Sequence, residues 1–421
     1  MSLHQDIICS TPISEEGLAH ACGLFFRQIR SHRERLMDYY LGRQSVPKGE
    51  AVRGRPDNRL RVPFPRYITQ VQTGYFLGQP PTLAFDRSEE GAVFSALPDA
   101  PHFPCLLYEA ARDASVCGMG ALLAWLDKSG PRVCRCDPMS VFFLRSGAAG
   151  SPIQAGVRLF QEEGSVIRGV LYEPERLRTF ALEHGGVRFE TEEENLLHAM
   201  PLIPFYNNSE GSGDFEAVTG LVDAYNLLLS GALDDMQSVA NAFLALYGMQ
   251  GTTQEDIDQA NRSRILSLSE GGRAEFVVKN LNHEALGQLE GNLRRSILQL
   301  SMTPDLSDQN FAGNASGVAL QYKLWGIEQV RSAKEQAFTD GILALLEALA
   351  GGLATLGRPV TFRAKPAFYK NLPQDAAALS ETLLTLSPIL SRRTILERLP
   401  YVDDPEEEER RKEREEMNLE E

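Results

Sequence analysis

Two long helical patterns meet across a polar stretch that belongs to neither, residues 301–320, SMTPDLSDQNFAGNASGVAL. Upstream, Leu286, Leu289, Leu293, Ile297 and Leu300 recur at helical spacing. Downstream, Leu320, Leu324, Ile327, Val330, Phe338, Ile342, Leu345 and Leu349 do the same. Pro304 is expected to end the first helix, because proline lacks the N–H donor and its ring clashes with the preceding turn. Gly313 and Gly317 permit backbone angles that other residues resist. A loop this long between two strong helices is unusual in a compact domain, and such loops are functional or disordered.

The rest of the chain divides by periodicity. Ser14 to Tyr40 is expected to be a helix, striped by Leu18, Cys22, Phe25, Phe26, Ile29, Leu36 and Tyr40, with Ser14 as N-cap and Glu15 and Glu16 in its first turn. Residues 46–57 form a Pro/Gly/charge-rich connector. A second buried helix begins at 104 and turns at Gly118 and Gly120 into a strand over 121–126. From Val133 to Phe189 short β-branched and aromatic runs alternate with turn clusters, as in an antiparallel meander.

Asp214 to Tyr247 has the cleanest helical rhythm in the chain, which would extend about 50 Å. Asp223, Asn226, Ser230, Asp234, Gln237 and Asn241 fill its other side. Residues 251–281 interrupt the helices with a short acidic helix (253–261) and two strands, 265–268 and 274–278, joined by Glu-Gly-Gly. Helix resumes at His283, and 360–363 and 367–369 are strand-like. The fold class is α+β.

At 421 residues the chain is long enough for several cores, and 43% hydrophobic with 24% charged residues is ordinary for a globular protein. No uninterrupted apolar run of about 18 residues occurs, so no membrane association is expected. The N-terminal MSLHQDIICS has no signal-peptide pattern, so the chain is expected to be made in a cytoplasm. Of the six cysteines, at 9, 22, 105, 117, 134 and 136, only Cys134 and Cys136 are close. No second ligand pair stands at metal-site spacing, so no metal or other cofactor is expected, and reduced thiols are. A net charge of −15 excludes a simple nucleic-acid binder, which would be basic. It is equally compatible with solubility alone and with an acidic wall past which DNA slides without being gripped.

No phosphate-binding Gly-rich loop, dinucleotide fingerprint, zinc-protease motif or nucleophile elbow is present. Ser316, between Ala315 and Gly317, lies two residues too far along for an elbow and follows no strand. The seven histidines are scattered, and His283 is placed to cap a helix. The chain is not expected to be an enzyme. The last nineteen residues from Asp403 carry eleven acidic and four basic side chains, the composition of a solvated helix or a tail.

Three segments resemble, in order, the portal proteins of tailed bacteriophages, siphophage branch. Residues 61–85, RVPFPRYITQVQTGYFLGQPPTLAF, carry a Thr-Gly-Tyr-Phe-Leu-Gly core before a Pro-initiated strand. Residues 201–233, PLIPFYNNSEGSGDFEAVTGLVDAYNLLLSGAL, carry Pro-Phe-x-Asn-Asn, Asp-Phe-Glu and Asp-Ala-Tyr-Asn. The third is the loop 301–320 and the helix after it. The resemblance covers most of 60–345. It implies a portal-type fold: wing 1–213, stem helix 214–249, clip 250–281, stem helix 282–302, tunnel loop 303–317, wing helix and strands 318–372, and crown with acidic tail 373–421.

The resemblance further implies a dodecameric ring at one capsid vertex of a virion, made in the host cytoplasm. Such a ring conducts double-stranded DNA, and its partners are the large terminase subunit, head-completion proteins, scaffold and major capsid protein. On this reading Asp305, Ser307, Asp308, Gln309, Asn310 and Asn314 face the channel. Arg294 and Arg295 face either the lumen or a neighbouring subunit. A non-viral oligomeric scaffold from a domesticated prophage and an enzyme with an unrecognised site are the alternatives.

Overall fold

The computed structural model describes residues 6–50, 56–161, 167–183, 185–240, 243–247, 253, 255, 258, 273–277, 283–307, 317–371, 382–396, 399, 402, 407–412 and 414. The chain divides into two compact units, Met1–Tyr369 and Lys370–Glu421.

The first unit begins with β1 (Ile7–Ile8), then α1 (Glu15–Leu24) and α2 (Ser31–Leu41), continuous through a single π-helical stretch, Phe25–Arg30. The Ser14 hydroxyl accepts the Gly17 N–H at 3.1 Å, the expected cap. Helix α3 (Phe64–Leu77) has proline in its first turn and leads through two prolines into β2 (Thr82–Phe85). Then follow α4 (Ser88–Ser95) and α5 (Phe103–Cys117). Gly118 ends α5 in the left-handed region at φ 81°. A Cβ at Gly120 would collide with the Ala110 carbonyl, so the following strand can lie on α5 only through glycine.

That strand is β3 (Met119–Asp127), paired antiparallel with β4 (Gly130–Cys136). The expected meander then runs through β5 (Val141–Arg145), β6 (Ile153–Gln161), β7 (Ile167–Tyr172), β8 (Arg176–Glu183) and β9 (Gly186–Glu194). It makes a six-stranded sheet in the order β1-β5-β6-β7-β8-β9. Val133 to Cys136 belongs to a second sheet, ordered β10-β3-β4, where β10 is Leu202–Tyr206. Helix α1 and the π-helical turn after it cover one face of the large sheet through Leu18, Cys22 and Phe25 against Phe142, Val157 and Phe180. The other face meets the second sheet through Val141, Phe143, Tyr172, Met119 and Leu202.

The helix expected over 214–247 is shorter. After a turn of 3₁₀ helix, α6 spans Thr219–Ala240, 22 residues or about 33 Å. Phe243–Tyr247 is strand β11, paired antiparallel with β12 (Arg273–Val277). Phe243 and Tyr247 satisfy the i, i+4 rule, but Phe-Leu-Ala-Leu-Tyr is also a β-prone run, and cross-strand pairing decides between them. The expected partner strand 265–268 lies outside the described residues, as does most of the short acidic helix 253–261.

Helix α7 (His283–Leu300) packs on α6. Helix α8 (Gly317–Thr355) runs 39 residues. Gln321–Thr355 contains an 18-residue window apolar enough to cross a bilayer by composition. Its Phe338, Ile342, Leu345, Leu346, Leu349 and Leu353 are nonetheless buried in a core shared with Phe76, Leu107 and Phe205, the ordinary fate of a core helix. Strand β13 (Ala364–Ala367) pairs with β2, following the strand-like run expected at 360–363 and overlapping the one at 367–369 by a single residue.

In the second unit, helical residues 382–386 and 407–412 flank α9 (Arg392–Leu396). Glu407 pairs with Arg411 at 3.5 Å and Arg414 at 3.4 Å. Much of the acidic tail from Asp403 lies outside the described residues.

Candidate functional site: the anchored base of the loop

Helix α7 ends at Leu300, four residues before Pro304, the stop that its sequence predicts. Met302, at φ 53°, adopts the left-handed conformation. Its N–H donates to the Gln299 carbonyl at 3.1 Å, and the Thr303 N–H donates to the Leu298 carbonyl at 2.9 Å. This is a Schellman closure, with methionine where glycine is usual, so Pro304 follows the stop instead of causing it. Met302 lies against α8, where its Sδ would be 3.3 Å from a Cβ at Gly326. Glycine there makes room for it.

Helix α3 holds the same turn from the other side. The buried Gln72 amide donates to the Ser301 carbonyl at 2.6 Å and to Thr303 Oγ1 at 3.0 Å. The Tyr67 hydroxyl donates to the Pro304 carbonyl at 3.0 Å and accepts the Leu306 N–H at 3.0 Å. Further along α3, the Tyr75 hydroxyl donates to Glu328 on α8, which also pairs with Arg331 at 3.2 Å. Burial first, and then the adjoining Glu328 carboxylate, push the Tyr75 phenol well up.

Arg294, on α7, pairs with Asp305 at 3.0 Å and also donates to the Ser307 hydroxyl. Partial burial works to raise the Asp305 carboxyl, but the Ser307 hydroxyl and N–H and the Arg294 guanidinium outweigh it and hold it below the usual range. Of the residues expected to line a channel, the structure thus brings Asp305 and Ser307 together on Arg294. The guanidinium of Arg294, expected to face the lumen or a neighbouring subunit, is bound to these two residues of its own chain. Arg295 is exposed. Asp308, Gln309, Asn310 and Asn314 lie outside the described residues, as does Ser316.

The polar side of α6 is also taken up locally. Asn226, Ser230 and Asp234, one helical turn apart, accept the backbone N–H groups of Val62 at 2.8 Å, Leu60 at 2.9 Å and Asn58 at 2.8 Å. Two residues of extended chain and four residues of helix both advance about 6–7 Å, so the strap and the helix stay in step. Lys48 clamps the far end onto Asp234 and pairs with Asp57 at 3.1 Å. At the near end of the α6 segment, Asp214 accepts from Lys334 Nζ on α8, from Ser115 Oγ and from Asn207 Nδ2 at 2.8 Å.

Other side chains on the same helices are left without cover. Leu227 and Met236 on α6 are 40% and 58% exposed, and Leu286 and Leu289 on α7 are 37% and 48% exposed. Tyr322 and Trp325 are exposed in the first turns of α8. Among the described residues, no group of three or more His, Cys, Asp or Glu side chains is gathered as a metal site.

Tyr67, Gln72 and Tyr75 are the anchoring residues that periodicity missed. The available signal was a glutamine sharing the buried stripe of α3 with Ile68 and Phe76.

Over residues 26–421 the chain matches the family described as phage portal protein, SPP1 Gp6-like. It is 21% identical over 410 residues to a portal protein of Clostridium phage phiCD119, covering 88% of this chain and 89% of that one. It is 26% identical over 230 residues to the portal protein of Bacillus phage SPP1, 52% of this chain and 44% of that relative. Among solved structures, a chain described as the neck of a native GTA particle computed with C12 symmetry is similar over 80% of this chain and 88% of its own. Its TM-score is 0.48 and its identity 11%.

A mixed α+β scaffold with a clamped helix–loop–helix, in a chain matched to phage portal proteins, defines a structural class and not an enzyme. The chain belongs to the SPP1 Gp6-like family of phage portal proteins, and its role is that of a portal protein.

Proposed function

We propose that the chain closes into a dodecameric ring whose channel conducts double-stranded DNA during packaging and ejection. The observation that carries this reading is the apolar surface left on the α6–α7 pair, with Leu227, Met236, Leu286 and Leu289 all exposed. A repeated heterologous contact between neighbours would cover it, and such contacts close into rings. On this reading 214–249 and 282–302 are stem, 250–281 clip, 303–317 tunnel loop, 318–372 wing with 1–213, and 373–421 crown and tail.

The loop residues Asp305, Ser307, Asp308, Gln309, Asn310 and Asn314 then line the narrowest passage. They are short and carry no positive charge, which suits a wall that must not hold phosphates. The clip is the surface for the large terminase subunit, and head-completion proteins, scaffold and major capsid protein are the other partners. Native mass spectrometry with negative-stain imaging tests the ring. The expected result is a single closed species with a channel about one duplex wide. A monomer dominant at micromolar concentration across salt conditions would overturn the reading.

A further inference from the structure

The second sheet covers only part of the large sheet's inner face. Strand β10 pairs with β3 as far as Leu123, with one further bond from the Ala124 N–H to the Pro201 carbonyl at 2.8 Å. Past that point a groove of about 380 Å³ opens. Its floor is the large sheet, through Val170 and Tyr172 of β7, Leu177 of β8 and Thr191 of β9. Cross-strand pairing of Tyr172 with Leu177, and of Leu177 with Glu193, puts these side chains on one face. Trp125 of β3 and Leu196 form the walls and are 39% and 45% exposed. The Leu196 wall is set in advance: the Asn195 amide donates to the Pro174 and Ala199 carbonyls at 2.8 and 2.7 Å, and the Thr355 hydroxyl donates to the Leu196 carbonyl at 2.6 Å. A groove already in shape loses little further freedom when it is filled.

The charge of the groove has one sign. The charged side chains in its lining are Glu193 and Glu194, and among the described residues neither makes an ion pair or a side-chain hydrogen bond. The adjoining hollow along β9 adds Glu175 and Glu192, and its Arg176 is already taken by Glu173 at 3.1 Å and Glu192 at 3.3 Å.

We propose that this groove docks a basic segment of a partner protein, one in which Lys or Arg alternates with aliphatic side chains. The aliphatic groups lie on Val170, Tyr172 and Leu177, and the cations meet the two free carboxylates on the rim. The exposed ring of Trp125 offers a further cation a face to lie on. A second copy of the chain, at a net charge of −15, would bring like charge to an acidic rim and fits less well. The site lies within the first unit and does not depend on ring closure.

The chain has two tryptophans, so Trp325→Phe leaves Trp125 as the sole reporter in the full-length protein. A synthetic peptide of alternating Lys and Leu should shift Trp125 emission to the blue and saturate, while Glu-Leu and Lys-Ser peptides of equal length should not. Glu193→Gln with Glu194→Gln should weaken the Lys-Leu peptide about tenfold, the loss of two exposed ion pairs. Leu196→Ser should weaken it as well, whereas Glu89→Gln with Glu183→Gln, outside the groove, should leave it unchanged. No shift, equal binding of the Lys-Ser peptide, or full affinity without the two rim carboxylates would overturn the proposal. So would Trp125 emission that is already blue and shielded from iodide in the protein alone, which would mean that another copy fills the groove. Should Trp325→Phe fail to fold, the anisotropy of labelled peptides on the unaltered chain makes the same comparison.

Discussion

The amide of Gln72 donates to the carbonyl of Ser301 at 2.6 Å, across 229 residues of sequence. Both are buried, and the bond fixes the point at which the chain leaves α7 for the loop. The portal resemblance rests on 61–85 and 301–320 as separate segments, and the structure makes them two halves of one clamp. An N-terminal helix therefore holds the chain over Ser301–Leu306, where it leaves α7.

Gln72→Leu removes the donor while roughly preserving volume, leaving a buried carbonyl and the Thr303 hydroxyl without it. Such losses cost about 1–3 kcal/mol. The expected result is a lower denaturation midpoint with an unchanged denaturant slope, and faster amide exchange at 302–306. Unchanged exchange in that segment would show that Tyr67 and the Schellman turn hold it without Gln72.

The Arg294–Asp305 pair makes a pH-dependent contribution whose sign is set by Asp305. Its folded carboxyl lies below the usual range, so its stabilisation is present above the unfolded value of about 4 and disappears as pH falls through the lowered folded value. Both partners are a third or more exposed, so the effect should stay within about 1 kcal/mol. Comparing wild type with Asp305→Asn by denaturant titration should show a gap at pH 7 that narrows as pH falls below the ordinary carboxylate range. A gap of constant size would mean that the Ser307 contacts, not the ion pair, are what the mutation removes.

Lys334 and Asp214 form a buried pair, with side chains 3% and 2% exposed. Removing one partner leaves a buried charge, and Lys334→Met should destabilise by about 3–5 kcal/mol. Lys334→Met with Asp214→Asn should recover part of that loss, because the amide still reaches Ser115 and Asn207 without carrying charge. Calorimetry of the singles and the double gives the coupling, and strict additivity would show that the two residues act independently.

How much of this was legible follows from the range of each signal. Helix α8 was visible because its apolar positions repeat through most of 39 residues. The end of α6 was missed because Phe243–Tyr247 fits two periods at once, and its resolution lies in β12, 26 or more residues on. The stripe Asn226, Ser230, Asp234 was recognised as polar, but not that an extended strap from 58–62 consumes it. That match depends on two rises coinciding in space. Arg294 and Asp305 are close in sequence and opposite in charge, so their pairing was within reach. Gln72 and Ser301 were not, since one sequence holds no record of who touches whom.

If 303–317 lines the narrowest part of a channel, charge there should govern DNA passage more than stability. Replacing Asp308 and Asn310 with lysine removes one negative charge and adds two positive ones per subunit, repeated around the ring. Each new ion pair between lysine and phosphate raises affinity for DNA and its salt dependence. Packaging by the double variant should slow or stall at low salt and partly recover as salt shortens the reach of the added charges. Ring assembly and thermal stability should hardly move, because loop substitutions of this kind change stability by about 0.5 kcal/mol or less, and the clamp through Gln72, Tyr67 and Arg294 stands outside the altered positions. Wild-type packaging at every salt concentration, with the ring intact, would place the loop away from DNA and leave the clamp as a structural brace.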